Sequence, residues 1–173
     1  MCTLFRVFVT LFATLAIAPG SYSEELASES ATNPKELIGS VLDDFHLAAA
    51  EADRDRYLSH FAENAVFMGT DDWERWPIEA FTEYVEQRFA TGGWAYTAES
   101  RNISLAPSGT IAWFDELMIS ERWGRFRGTG VLLHEQGGWK IAHYSLTILI
   151  PNEGFAAISE MATSGFEERK SKE

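Results

Sequence analysis

The sequence predicts an α+β fold in which helices pack on one face of an antiparallel sheet. Apolar residues recur at helical spacing between residues 34 and 89. From residue 94 they give way to four β-type runs joined by short turns. Helices first and a meander after them leave one sheet with one helical cover.

The segment ahead of the helices reads differently. Arg6 supplies a positive start, and residues 7–18 are apolar but too short to span a bilayer as a helix. Ser21 and Ser23 are small, and Glu24 opens a polar run. Residues 1–23 are therefore read as a secretory signal peptide, with an uncleaved anchor as the alternative. Secretion or a periplasmic location follows from that reading. The only cysteine is Cys2, so the mature chain has no disulfide and no thiolate chemistry. Removing Arg6 from the 14 basic residues leaves 13 against 26 acidic ones, a net charge of −13. No basic cluster exists beyond the tail "ERKSKE", so neither nucleic acid nor, once the leader is removed, a membrane is an expected partner.

Residues 24–33 read as a linker, and residues 34–152 as the folded domain. Asn33 is a natural N-cap, Pro34 suits the first turn, and Glu36 sits at the capping-box position. Leu37, Ile38, Val41, Leu42, Phe45, Ala48, Ala49 and Ala52 give this first helix an apolar face. A short helix from about Asp53 presents Tyr57, Leu58 and Phe61. Residues 65–69 read as a strand, "TDDWERW" as a loop whose Asp71, Asp72, Glu74 and Arg75 form either a cavity mouth or a solvated surface, and Pro77 opens a third helix with Ile78, Phe81, Val85 and Phe89 along one side. Strands are expected at residues 94–105, 110–121, 126–134 and 139–150, joined by "APSG", "RWGR" and "EQGG". Pro151 stops the sheet. Residues 153–173 hold a last short helix near residues 155–161 and a charged tail.

Gly128 and Gly130 lie inside a predicted strand, where glycine marks a bulge or a close approach. Short turns suggest that Gly130 faces His143 and Leu117, Gly128 faces Ser145, and Ser100 lies beside Asp115. Alternation then puts Trp94, Tyr96, Trp113, Asp115, Gly128, Gly130, His143 and Ser145 on the face toward the helices. Arg101, Glu116, Arg127 and Tyr144 fall on the other face. The glycines would leave a gap bordered by aromatics, the composition of a small-molecule pocket.

The pieces "FAENAVFMGTD", "ERW", "AWFDE", "RGTGVL", "GWKIAHYSLT" and "IPN", in this order, resemble the SnoaL-like proteins of the nuclear transport factor 2-like superfamily. The resemblance covers roughly residues 36–152. It implies a curved sheet wrapped like a cone around the helices, an internal cavity, and often a homodimer through the outer sheet face. It also implies a spread of functions, from isomerases and cyclases to hydrolases, binders and assembly modules. Ketosteroid isomerase-like members carry an Asp after the first strand and a Tyr in the first helix. Gly69 and Phe45 stand there in this chain, which argues against that chemistry. Relatives with a similar last strand carry a His where this chain has Ser145.

Asp115 and His143 are the candidate catalytic residues. A carboxylate among aromatics can act as acid or base near neutral pH, and an imidazole needs little tuning to do so. The alternatives are an Asp held by Ser100 or Asn102 and a core His satisfied by one hydrogen bond. Trp94, Tyr96, Trp113, Gly128, Gly130 and Ser145 are the candidate ligand-binding residues, for a small apolar or aromatic ligand. The sequence has no phosphate-binding glycine loop, metal-ligand spacing or nucleophile elbow, so no cofactor is expected. The expected function is an exported cavity protein, with acid–base activity as an option. The alternative is a non-catalytic dimeric module whose aromatics only fill a core.

Overall fold

The computed structural model describes residues 33–172, so the leader and most of the linker lie outside the described residues. Three helices come first: α1 (Pro34–Ala50), α2 (Arg54–Ser59) and α3 (Ile78–Phe89). Strands β1 (Phe61–Met68) and β2 (Arg75–Pro77) stand between α2 and α3. The meander follows as β3 (Thr97–Leu105), β4 (Ile111–Ser120), β5 (Gly124–Glu135) and β6 (Gly138–Ile148). After a 3-10 turn at Asn152–Gly154 the chain ends in α4 (Phe155–Lys170). No helix among the described residues is long and apolar enough to cross a membrane.

The helix signals act as expected. Asn33 caps α1 by accepting a hydrogen bond from the Lys35 amide at 3.0 Å, and Asp53 caps α2 through the Arg56 amide. Ile38, Leu42, Phe45, Ala48 and Ala49 of α1 are buried, while Leu37 is exposed. Phe81, Val85 and Phe89 of α3 are buried as well.

The sheet order is β2-β1-β6-β5-β4-β3. Strand β1 runs parallel to β6, which closes a sheet that is otherwise antiparallel. Strand β1 begins at Phe61, four residues before the expected start, and β2 forms inside the segment read as a loop. Trp94 and Tyr96 precede β3 rather than belonging to it.

Three local irregularities decide which side chains face the helices. Ser120 pairs with Gly124, so the β4–β5 connection is the three-residue turn 121–123, with Gly124 at φ +85°. The expected four-residue turn placed Gly130 opposite Leu117, but its partner is Phe114. A shift by an odd number turns β4 over. Phe114, Glu116 and Met118 therefore point inward, and Trp113, Asp115, Leu117 and Ile119 point outward. On β3, Glu99 is an extra residue between Ala98, opposite Met118, and Ser100, opposite Leu117. On β6, Ala142 is extra: Ile141 pairs with Leu132 and His143 with Val131. Alternation restarts after this bulge, so Tyr144 points inward, opposite Gly130, while His143 and Ser145 point outward.

The inner face is a continuous aromatic core. Phe67 stacks on Phe81 at 4.1 Å and on Tyr144 at 5.4 Å, and Phe45 stacks on Tyr57 at 4.6 Å. Helix α4 has no buried residue. Its far end is tied to the β1–β2 loop by Arg169, which donates to both carboxylate oxygens of Asp71 at 2.8 Å and to Asp72 at 2.7 Å.

Candidate functional site: an aromatic cavity at the mouth of the cone

Gly128 and Gly130 border no empty space. A β-carbon on Gly128 would collide with the Tyr144 hydroxyl, Glu116 and Met118, and one on Gly130 with the His143 carbonyl and Phe114. The glycines are needed because these groups approach so closely. What fills the expected gap is a buried polar network. Glu116 is 0% exposed. One of its carboxylate oxygens meets His46 Nε2 at 2.7 Å and accepts from the Tyr144 hydroxyl at 3.1 Å. The other accepts from Arg101 Nε at 2.8 Å. Arg101 also donates to Asp43 at 2.8 Å and to the Gly39 carbonyl at 3.1 Å.

Burial works to raise the Glu116 pKa, but the hydrogen bonds and charges of His46 and Arg101 outweigh it and hold the group below its ordinary value. Burial drives the Tyr144 phenol well above its ordinary pKa, with the Glu116 charge adding to the effect. Each member of the network has a partner and Glu116 is sealed from solvent, while Arg101 Nη2 is buried with no partner among the described residues; the arrangement suits a structural role.

The open space lies toward the mouth of the cone. A cavity of about 400 Å³ is walled by Trp76 of β2, Tyr84 and Arg88 of α3, Trp94 and Tyr96 before β3, and Trp123 of the β4–β5 turn. Phe67, Phe126, Leu146 and Ile148 complete its apolar lining, and Thr70 and Glu74 add polar groups from the β1–β2 loop. Trp76 stacks on Tyr84 at 4.7 Å, and Tyr96 meets Phe126 edge-on at 5.0 Å. Glu74 folds back over Gly69, which any side chain there would obstruct, and accepts the Asp71 amide at 3.0 Å. Burial raises the pKa of Tyr84, with the Glu74 charge adding to it, and burial also raises that of Tyr96. Both phenols stay protonated at neutral pH. Among the described residues, no three His, Cys, Asp or Glu side chains converge as metal ligands.

The residues singled out from sequence fall into three places. Trp94 and Tyr96 line the mouth cavity. Gly128 and Gly130 sit in the packed interior. Trp113, Asp115, His143 and Ser145 share the outer sheet face, in two adjacent cross-strand rows: Trp113–Val131–His143 and Asp115–Thr129–Ser145. Asp115 accepts from Asn102 at 3.0 Å, and His143 Nε2 lies 3.2 Å from the Met68 sulfur. Neither is among the residues that line the cavity. Tyr84, Arg88 and Trp123 were not singled out, whereas Glu74 belongs to the loop that the sequence offers as either a cavity mouth or a solvated loop. Tyr84 and Arg88 lie in α3 and Trp123 in a turn, with no motif to mark them.

A SnoaL-like domain model matches residues 38–151. No curated protein matches the chain in sequence. Among solved structures, a domain with a cystatin-like fold from Nostoc punctiforme is similar at TM-score 0.65 and 14% identity, over 83% of this chain and 94% of that one. A nuclear transport factor 2-like protein from Pseudomonas putida is similar at TM-score 0.56 and 15% identity, over 67% and 87%. A provisionally named aromatic ring hydroxylase from Novosphingobium aromaticivorans is similar at TM-score 0.58 and 18% identity, over 68% and 90%. At such identities the likeness is one of fold, that of nuclear transport factor 2-like proteins, and it agrees with the match that spans most of the chain: this protein belongs to the SnoaL-like family.

Proposed function

We propose that the chain is an exported cavity protein that binds a small, largely apolar aromatic molecule at the mouth of its cone. One observation carries this reading: a cavity of about 400 Å³ walled by five large aromatic side chains, Trp76, Tyr84, Trp94, Tyr96 and Trp123, with few polar groups among them. That is the composition of a ligand site rather than of a solvated cleft. The name of the Novosphingobium aromaticivorans neighbour accords with an aromatic ligand. The leader read in residues 1–23 supports export.

The cavity can support proton transfer. Glu74 is the group able to take a proton from the ligand, and the Tyr84 and Tyr96 hydroxyls are the donors able to hold a ligand oxygen. Isomerase-, cyclase- or hydrolase-like activity needs such a set. The test is native mass spectrometry of the chain purified from its own host, followed by denaturation and identification of released compounds. A reproducible aromatic compound supports the reading, and Glu74→Gln then lowers its turnover by about 10²–10⁴-fold. A chain that retains and binds no small molecule contradicts it.

A second reading is favoured by the outer sheet face, where Trp113 is 50% exposed and Ile111 and Ile119 are also exposed. Such a patch suits homodimerisation, with or without a ligand. Sedimentation of wild type and Trp113→Glu tests it: a dimer that the substitution dissociates supports it, and a wild-type monomer removes it.

A further inference from the structure

We propose that the ligand is an aromatic carboxylate, with its ring in the mouth cavity and its carboxylate on Arg88; this rests on the binding reading above. A second groove, of about 430 Å³, adjoins the cavity and shares Arg88, Trp94, Tyr96 and Trp123 with it. Those four side chains form the junction of a two-part site, and Arg88 is the only charged group among them.

Arg88 stands in the last turn of α3. Its Nη1 donates to Thr91 Oγ1 at 3.2 Å and to the Gly92 carbonyl at 3.1 Å, which fixes the guanidinium at the helix end. Among the described residues, its Nε and Nη2 donate to no protein acceptor, and no carboxylate pairs with it. Carboxylates are not scarce in a chain with 26 acidic residues, and Arg101 and Arg169 each hold two. Arg88 thus presents a planar, positioned and unneutralised fork to an aromatic-walled space, the geometry that carboxylate recognition uses. Arg122 strengthens the positive end of the groove. It lies over the Trp123 ring at 4.6 Å and pairs with no carboxylate among the described residues. Glu74 in the cavity and Glu121 in the groove stand on either side of the junction, so the arrangement suits a single negative charge at Arg88 and neutral groups elsewhere.

Two probes with the same ring separate the parts of this proposal. Affinities of 2-naphthoate and the uncharged 2-naphthalenemethanol are measured by calorimetry at pH 7.5. A charge-assisted pair at a half-buried guanidinium predicts that wild type prefers the carboxylate by about tenfold or more. Arg88→Gln brings the ratio to within about twofold of unity. Arg127→Gln, the same charge change on the outer sheet face, leaves it unaltered. Arg88→Met serves the same purpose should Arg88→Gln fail to fold. Equal binding of the two probes by wild type, or a preference that survives both Arg88 variants, overturns the carboxylate assignment and leaves the cavity reading standing. Binding of neither probe overturns both.

Discussion

The two ends of the cone solve opposite problems with the same residue types. At the deep end, aromatic rings, a carboxylate and a guanidinium meet with no space left: Tyr144, His46 and Arg101 all bond to Glu116, and two glycines let the groups touch. At the mouth, aromatic rings, a carboxylate and a guanidinium surround about 400 Å³ of open volume, and Glu74 and Arg88 do not pair with each other. A buried charge without a partner is costly, so each charge at the deep end is paired. The mouth is wet and can leave charges for something else to use. Residue composition therefore does not tell core from site in this protein; the pairing of the polar groups does.

Changes at the deep end should cost stability and leave the mouth's ligand preference alone. The largest effect is expected for Glu116→Ala, which strands Arg101 and His46 and should lower unfolding free energy by about 3–5 kcal/mol in urea titrations. The same network predicts an acid limit. The Glu116 pKa is depressed in the fold, so its contribution is present above the ordinary carboxylate pKa and is lost as pH falls through the folded value. Denaturation curves between pH 7 and 3 should show a fall in wild type that is shallower in Glu116→Gln. Next comes Gly128→Ala, which overfills the space beside the Tyr144 hydroxyl and should cost about 1–3 kcal/mol. Adding Tyr144→Phe should recover part of that loss, and strict additivity of the two would refute the contact.

Smaller effects belong to sites outside the network. Tyr57 is fully buried, and its hydroxyl has no hydrogen-bond partner among the described residues. Tyr57→Phe should therefore stabilise the protein by about 1 kcal/mol. Trp123 is 59% exposed, so Trp123→Ala should change stability by no more than about 0.5 kcal/mol while weakening naphthalene probes several-fold. Arg169 holds the Asp71 carboxyl at a pKa of about 2, so the tie to α4 persists down to strong acid. Arg169→Ala should speed amide exchange in the loop of residues 69–74, which carries Glu74, with the melting temperature nearly unmoved.

The helices were legible in the sequence because their signals are local: Asn33 before Pro34, Pro77 before α3, and apolar residues at helical spacing. The strands of the meander were legible because Gly137, Gly138 and the other turn residues punctuate them. The faces of those strands were not. They depend on whether Gly124 closes a three- or a four-residue turn and on single extra residues at Glu99 and Ala142, which packing selects and alternation cannot reveal. Those shifts put Glu116 and Tyr144 inside and Asp115 and His143 outside. Strand β2 escaped notice because three residues on a sheet edge carry no period. The parallel pairing of β1 with β6 joins distant segments without a turn to mark it. Trp94 and Tyr96 were expected beside a glycine gap that does not exist, and they line the mouth cavity from the segment ahead of β3.

The six tryptophans offer the most direct test that the site is the mouth and not the glycine-lined interior. Indole N–H signals of ¹⁵N-tryptophan-labelled protein can be followed by NMR during titration with 2-naphthalenemethanol. With the ligand at the mouth, the signals of Trp76, Trp94 and Trp123 should move together, while buried Trp139 and outer-face Trp113 stay in place. Movement of Trp139 or Trp113 with Trp94 and Trp123 fixed, or no movement at all, would contradict that placement.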